Sequence, residues 1–208
     1  MNSTKSATTE FRATLENEAP SYRIALTAND LNSLSKYYEL LNAWNSRLHL
    51  VAPSSPRVFA TRHVLESLLL LQHLPAGARV ADIGSGAGLP ILPCLIVRPD
   101  IYAVLIEASK KKAIFLREAL NATSTSERAT VIPERFENIN PPEVGFLTSR
   151  ALDRFEQMLP QLFSWLPAGT LLLCGGEVLG RKIAESGFSA KKIQIPSSQR
   201  RFLYVATK

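Results

Sequence analysis

Three glycines at alternate positions, Gly84, Gly86 and Gly88, follow the run Val80-Ala81-Asp82-Ile83 and lead through Leu89-Pro90 into a second apolar stretch. Glycine lets the backbone turn sharply and approach a ligand with no side chain in between. The spacing is G-x-G-x-G. The dinucleotide fingerprint G-x-G-x-x-G needs its third glycine where Leu89 stands, which makes a pyrophosphate on the helix N-terminus a poor match and disfavours a nicotinamide oxidoreductase. The loop suits a nucleoside cofactor without a pyrophosphate, and S-adenosylmethionine is the cofactor expected. Gly84, Ser85, Gly86, Gly88 and Leu89 then form its cradle. Asp82 is positioned to meet its ammonium or sulfonium region, directly or through water. The plain alternative is an ordinary tight βα turn, which the acidic residue at its head and the preceding strand count against.

Glu107 lies 25 residues after Asp82, at the end of the next apolar run, with Ala108 beside it. A carboxylate there can accept hydrogen bonds from both ribose hydroxyls, the role of an acidic residue at similar spacing in related folds. Farther on, Arg135 and Phe136 fall where an adenine ring would lie; Phe136 reads equally well as an adenine wall or as core. Thr148-Ser149-Arg150-Ala151 falls near the position of a methyl acceptor. No Asn/Asp-Pro-Pro-Tyr/Phe motif stands there, against exocyclic-amine chemistry, and no catalytic triad is evident. Lys110-Lys111-Lys112 is by default the exposed start of a helix and only secondarily a phosphate patch. His49, His63 and His73 have no metal spacing, and no metal is expected; His49 and His73 read as structural.

The elements that must position these residues follow from periodicity. Leu31, Leu34, Tyr38, Leu41 and Leu48 recur at helical steps, and Val58, Leu65, Leu69 and Gln72 begin a second helical stretch. From Arg79 short apolar strands alternate with helices: strands at 79–83, 102–107, 129–132, 145–148 and 170–174, helices ending at 97 and spanning 109–121 and 154–166. The chain closes with a β-hairpin, 191–195 and 202–206. This alternation predicts an α/β, Rossmann-like class I methyltransferase sheet, mostly parallel with a C-terminal antiparallel hairpin and preceded by N-terminal helices. Residues 1–21 are predicted to be a disordered tail, 22–76 a helical cap, and 77–208 the cofactor-binding domain, in one compact unit with the cap.

The 208 residues are 46% hydrophobic and carry a net charge of +6, ordinary for a globular chain and compatible with a polyanionic partner. Cys94 and Cys174 are isolated in apolar runs, which argues against zinc and against a disulfide framework. With no hydrophobic signal core and no run of the ~20 apolar residues needed to span a bilayer, the expected location is the cytoplasm, without a membrane partner and as a monomer.

From Tyr37 onward the ordered set resembles the glucose-inhibited division protein B (RsmG) family of small-subunit ribosomal RNA guanine-N7 methyltransferases. The set comprises Trp44-Asn45 before Leu48, Arg62-His63 with Glu66-Ser67, the Gly84–Pro90 loop, Lys112 with Phe115-Leu116, Arg135 with Glu137, Ser149-Arg150-Ala151, and Arg201 before a strand. The resemblance implies that the loop and Glu107 hold the cofactor, and that Asn45, His63, Arg135, Arg150 and Arg201 surround cofactor, RNA or both. It implies ribosomal RNA or the small ribosomal subunit as partner. Asn45, His63, Lys112 and Arg201 are the expected RNA contacts. Arg150 is expected to position the guanine, by its O6 or a flanking phosphate, and no general base is expected because N7 already presents a lone pair. One departure stands out: Cys174-Gly175 replaces a Lys-Gly pair common at the end of the fifth strand. A methyltransferase of another acceptor, and an RNA-binding or assembly protein with weak or lost turnover, both remain open on the sequence alone.

Overall fold

The computed structural model describes residues 2–150, 155–166, 168–196 and 198–208. Helix α1, Asn2–Glu18, is followed by a 3₁₀ turn at Ala19–Tyr22 and by α2, Ala28–Leu48. Helix α2 starts at a capping box: Thr27 Oγ1 accepts from the Asp30 amide, and Asp30 Oδ2 accepts from the Thr27 amide. It buries Leu31, Leu34, Tyr37, Tyr38 and Leu41, on the face its spacing predicts. The disordered tail predicted for 1–21 is not what forms, because α1 has two apolar side chains at i, i+4. Phe11 and Leu15 are completely buried, and Phe11 stacks on Tyr38 with ring centroids 4.3 Å apart.

The next helical stretch changes pitch as it proceeds. α3, Pro56–Phe59, runs into a π-helical Ala60–Leu65, then α4, Glu66–Leu68, and a 3₁₀ turn at Leu69–His73. Such π turns interrupt an α-helix at some local cost and are frequent at functional sites.

The sheet has seven strands in the order β3-β2-β1-β4-β5-β7-β6. These are β1 Arg79–Ile83, β2 Tyr102–Ile106, β3 Ala129–Ile132, β4 Phe146–Ser149, β5 Thr170–Gly175, β6 Ser189–Gln194 and β7 Phe202–Thr207. β1 to β5 are parallel to their neighbours among themselves, and β7 runs antiparallel to both β5 and β6. The predicted fold class is therefore the observed one. One core packs α1, α2, the 56–73 stretch, α5 (Ile91–Val97) and α6 (Lys110–Ala122) on one face. The other face is covered by α7, Phe155–Trp165, and α8, Glu177–Glu185. Helix α8 has no counterpart in the sequence reading. Gly180 is there for packing: a Cβ would lie 2.7 Å from the Tyr204 ring, so only glycine lets α8 sit this close to β7.

Strand order reverses between β1 and β4, each extended away from the other by its own crossover. The carboxyl ends of strands at such a switch point diverge and leave a crevice, the usual ligand site of open α/β sheets.

Candidate functional site

A cavity of about 830 Å³ opens at that crevice, within the range of small-molecule sites. Its floor is the β1–α5 loop: Gly84, Ser85, Gly86, Ala87 and Leu89 line it, with Glu107, Ala108 and Lys112 from the β2–α6 connection and Arg135 and Phe136 after β3. His63 and Arg150 complete it from the far side, with Leu50–Ala52 above. Eleven of the fifteen residues the sequence singled out are thus in one lining; Asp82, Gly88, Asn45 and Arg201 are not among it.

The floor is mostly backbone. The Gly84 and Ser85 amides donate to the Ile106 carbonyl at 2.9 and 3.1 Å, tying the loop to β2. Glu107 is 8% exposed, and its two carboxylate oxygens accept from the Gly86 and Ser109 amides, each at 2.8 Å. A carboxylate held at both oxygens is a rigid acceptor with lone pairs still available towards the cavity. Gly88 stands outside the lining. Its φ is +84°, and a Cβ would meet Leu92 at 3.0 Å and Leu116 at 3.3 Å, so it keys the loop to α5 and α6.

Asp82 lies beneath the loop. It is fully buried, neither carboxylate oxygen has a hydrogen-bond partner, and Ser85 Oγ donates instead to the Asp82 backbone carbonyl at 2.9 Å. Burial pushes its carboxyl up to about 7, with the nearby Glu107 charge acting in the same direction. An orphaned buried carboxylate is rare in native proteins and usually marks a missing donor. The amino-acid end of S-adenosylmethionine, or its water, brings such donors. With Glu107 as a ribose acceptor and Phe136 as an apolar wall, the residues fit this cofactor. Phe136 is both things the sequence left open: it lines the cavity, and it is 3% exposed with its ring edge-on to Trp165 at 5.4 Å.

The far wall is made of side chains. Arg150, just past the end of β4, reaches back to the π-helical turn. Its Nη1 donates to the His63 carbonyl (3.3 Å), and its Nη2 to the Arg62 carbonyl (2.6 Å) and to His63 Nδ1 (3.0 Å). Burial and the guanidinium charges of Arg150, Arg62 and Arg201 hold His63 down near 4, so its ring is neutral at ordinary pH. Behind it Arg201 forms a bidentate ion pair with Glu66, at 2.7 and 2.8 Å, and Glu66 is only 5% exposed. The cap is fixed to the floor by Tyr37, whose buried hydroxyl donates to the Ala87 carbonyl at 2.8 Å.

Two expected RNA contacts are otherwise engaged. Asn45 donates to and accepts from the Val51 backbone at 3.1 and 3.0 Å, so it pins the loop that roofs the cavity. Arg201 is committed to Glu66, because a buried carboxylate without a cation is costly. Lys112 and Arg135 line the cavity, and Arg135 is exposed. Ala151 of the Ser149-Arg150-Ala151 motif lies outside the described residues. Cys174 takes part in the electrostatics of this wall: burial pushes its thiol up to about 11 while the Arg150 charge opposes. Arg150 and Arg201 thus supply cations around position 174 without a lysine there. Sequence reasoning missed Tyr37, hidden in an apolar helical face, and gave Glu66 no role. An acid between Leu65 and the Leu68–Leu71 run was the available signal that a buried partner is required.

The family model for rRNA small subunit methyltransferase G matches residues 30–203. The ribosomal RNA small subunit methyltransferase G of Sorangium cellulosum (strain So ce56) is 36% identical over 176 residues, covering 79% of this chain and 72% of that protein. That of Halorhodospira halophila is 34% identical over 175 residues, covering 84% and 83%. Among solved structures, an S-adenosylmethionine-dependent methyltransferase from Aquifex aeolicus superposes with a TM-score of 0.56 at 17% identity, covering 68% of this chain and 89% of that one. A ribosomal protein L11 methylase from Lactobacillus delbrueckii gives 0.59 at 14% identity, covering 71% and 78%. At these identities the two structures speak for the fold alone.

Proposed function

The chain belongs to the rRNA small subunit methyltransferase G family, and from that premise we propose that it methylates N7 of a guanine in small-subunit ribosomal RNA, using S-adenosylmethionine held in the cavity at β1 and β4. One observation carries this reading: the glycine loop with Glu107, the cations Lys112 and Arg135, and Arg150 with His63 all line a single cavity. A cofactor floor and an RNA-facing wall are the two halves that such a reaction requires.

Glu107 accepts the ribose hydroxyls, Phe136 covers the adenine, and the Gly84–Leu89 loop receives the amino-acid end above Asp82. S-adenosylmethionine, when bound, supplies an electrophilic methyl group. Guanine N7 carries an in-plane lone pair, so no side chain need remove a proton, and the wall's part is to orient the base and exclude water. Lys112 and Arg135, at the rim, contribute phosphate attraction. The described residues include no helix long and apolar enough to cross a membrane. Large exposed hydrophobics among them are Tyr102, Ile114 and Val178, on three separate elements. Both facts are compatible with a cytoplasmic monomer, as which we take the protein.

The test is transfer of labelled methyl from S-adenosylmethionine to small ribosomal subunits that lack N7-methylguanine, followed by identification of the nucleoside by mass. A single labelled 7-methylguanosine is the expected product. Cofactor binding without label in the RNA would reject the acceptor and keep the cofactor site.

A further inference from the structure

The guanidinium of Arg150 has donors and no acceptor. Its Nη2 lies 3.0 Å from His63 Nδ1, so Nδ1 must present its lone pair, and the ring proton of the neutral imidazole must reside on Nε2. The contact is fixed from several sides. Arg150 is held by the Arg62 and His63 carbonyls, the His63 ring packs on Phe59 with centroids 5.1 Å apart, and Ser67 Oγ donates to the His63 carbonyl. Three of the five guanidinium N–H groups are thereby spent within the wall, and His63 and Arg150 both line the cavity opposite the cofactor loop.

We propose that His63, locked by Arg150 as the Nε2–H tautomer, reads the methyl-acceptor base by donating a hydrogen bond to guanine O6, while Arg150 serves as its positioning residue. This rests on the guanine-N7 reading above. On that edge guanine offers two adjacent acceptors, N7 and O6, whereas adenine offers N7 beside an N6 amino donor. A fixed N–H donor beside the methyl therefore accepts guanine and leaves adenine with donor facing donor, a mismatch that polar sites reject strongly. A neutral donor has a second advantage. Methylation at N7 makes the purine cationic, and a wall whose nearest polar group is uncharged does not repel that product. Burial and the surrounding cations Arg150, Arg62 and Arg201 keep the ring in that state, while the nearby carboxylate, Glu66, is paired with Arg201. This revises the expectation that Arg150 itself contacts O6.

The experiment compares His63→Gln with His63→Met in methyl transfer to unmethylated small subunits, alongside calorimetric affinity for S-adenosylmethionine. The two replacements have the same length; only Gln has an amide oxygen for Arg150 and an N–H for the base. His63→Met should lower kcat/KM roughly 10- to 100-fold and His63→Gln by less than about tenfold, with cofactor Kd within about twofold of wild type in both. Arg150→Met, which leaves the imidazole free to take either tautomer, should fall between them. Equal kcat/KM for His63→Met and His63→Gln, or wild-type kcat/KM in either His63→Met or Arg150→Met, overturns the proposal. No transfer by the wild-type protein would instead overturn the N7 reading on which it rests.

Discussion

On the cofactor side the cavity is bounded by backbone, turned by the Gly84–Gly88 loop and fastened by amides to Ile106 and Glu107. On the cap side it is bounded by side chains gathered from positions 63, 66, 150 and 201. The difference extends to how charge is treated. The floor leaves one buried carboxylate, Asp82, without donors, a demand that a ligand can meet. The wall pairs its carboxylate with Arg201 and spends three Arg150 N–H groups on His63 and Arg62, so that a neutral ring faces the cavity beside a guanidinium with most of its donors engaged. With a cationic cofactor on one side and, on the proposed N7 chemistry, a cationic product on the other, the site needs both solutions, one on each side.

Substitutions sharpen the contrast. The largest effect on stability is expected from Arg201→Met, which strands Glu66 in the interior. Breaking such a pair costs about 3 kcal/mol, or roughly 6–12 °C in Tm for a chain of this size. Adding Glu66→Gln should recover most of that loss in a double-mutant cycle by thermal denaturation. Next comes Gly88→Ala, where the left-handed backbone and the contacts with Leu92 and Leu116 together cost about 2–3 kcal/mol. Its Tm should fall, and cofactor affinity should fall with it because the loop moves.

A further effect has the opposite sign. The Asp82 carboxyl is raised from 3.8 to about 7 by burial, so between those values the folded protein keeps a proton that the unfolded chain has released. Stability therefore declines as pH rises through that window, and the cost is complete above it. Asp82→Asn removes the cost. Its Tm should exceed that of wild type at pH 8 and match it near pH 4, while affinity for S-adenosylmethionine drops. A Tm gain that is the same at both pH values would show that the carboxyl is not what titrates.

What could be read from the sequence divides along the same line as the two walls. The floor is local: Asp82 through Leu89 are contiguous, and Glu107 follows after one crossover, so strand, turn and counting were sufficient. The wall depends on contacts across 87 residues between Arg150 and His63 and 135 between Arg201 and Glu66. No periodicity encodes such pairs, and Arg201, expected at RNA from the family resemblance, gives no sign in the sequence that its partner is Glu66. Asn45, expected at RNA on the same ground, has the Val51 backbone as its partner, which every residue type offers. Helix α1 escaped because its polar composition masked two apolar side chains, Phe11 and Leu15, that are enough to hold it.

The most direct test of the two-walled account is calorimetric binding of S-adenosylmethionine to Glu107→Ala and His63→Met measured side by side. Loss of Glu107 removes charge-assisted hydrogen bonds to the ligand and should raise Kd roughly 100-fold or more, whereas His63→Met should leave it within about twofold of wild type. Equal losses in both variants, or undiminished affinity in Glu107→Ala, would contradict the division of the cavity into a cofactor floor and a base-reading wall.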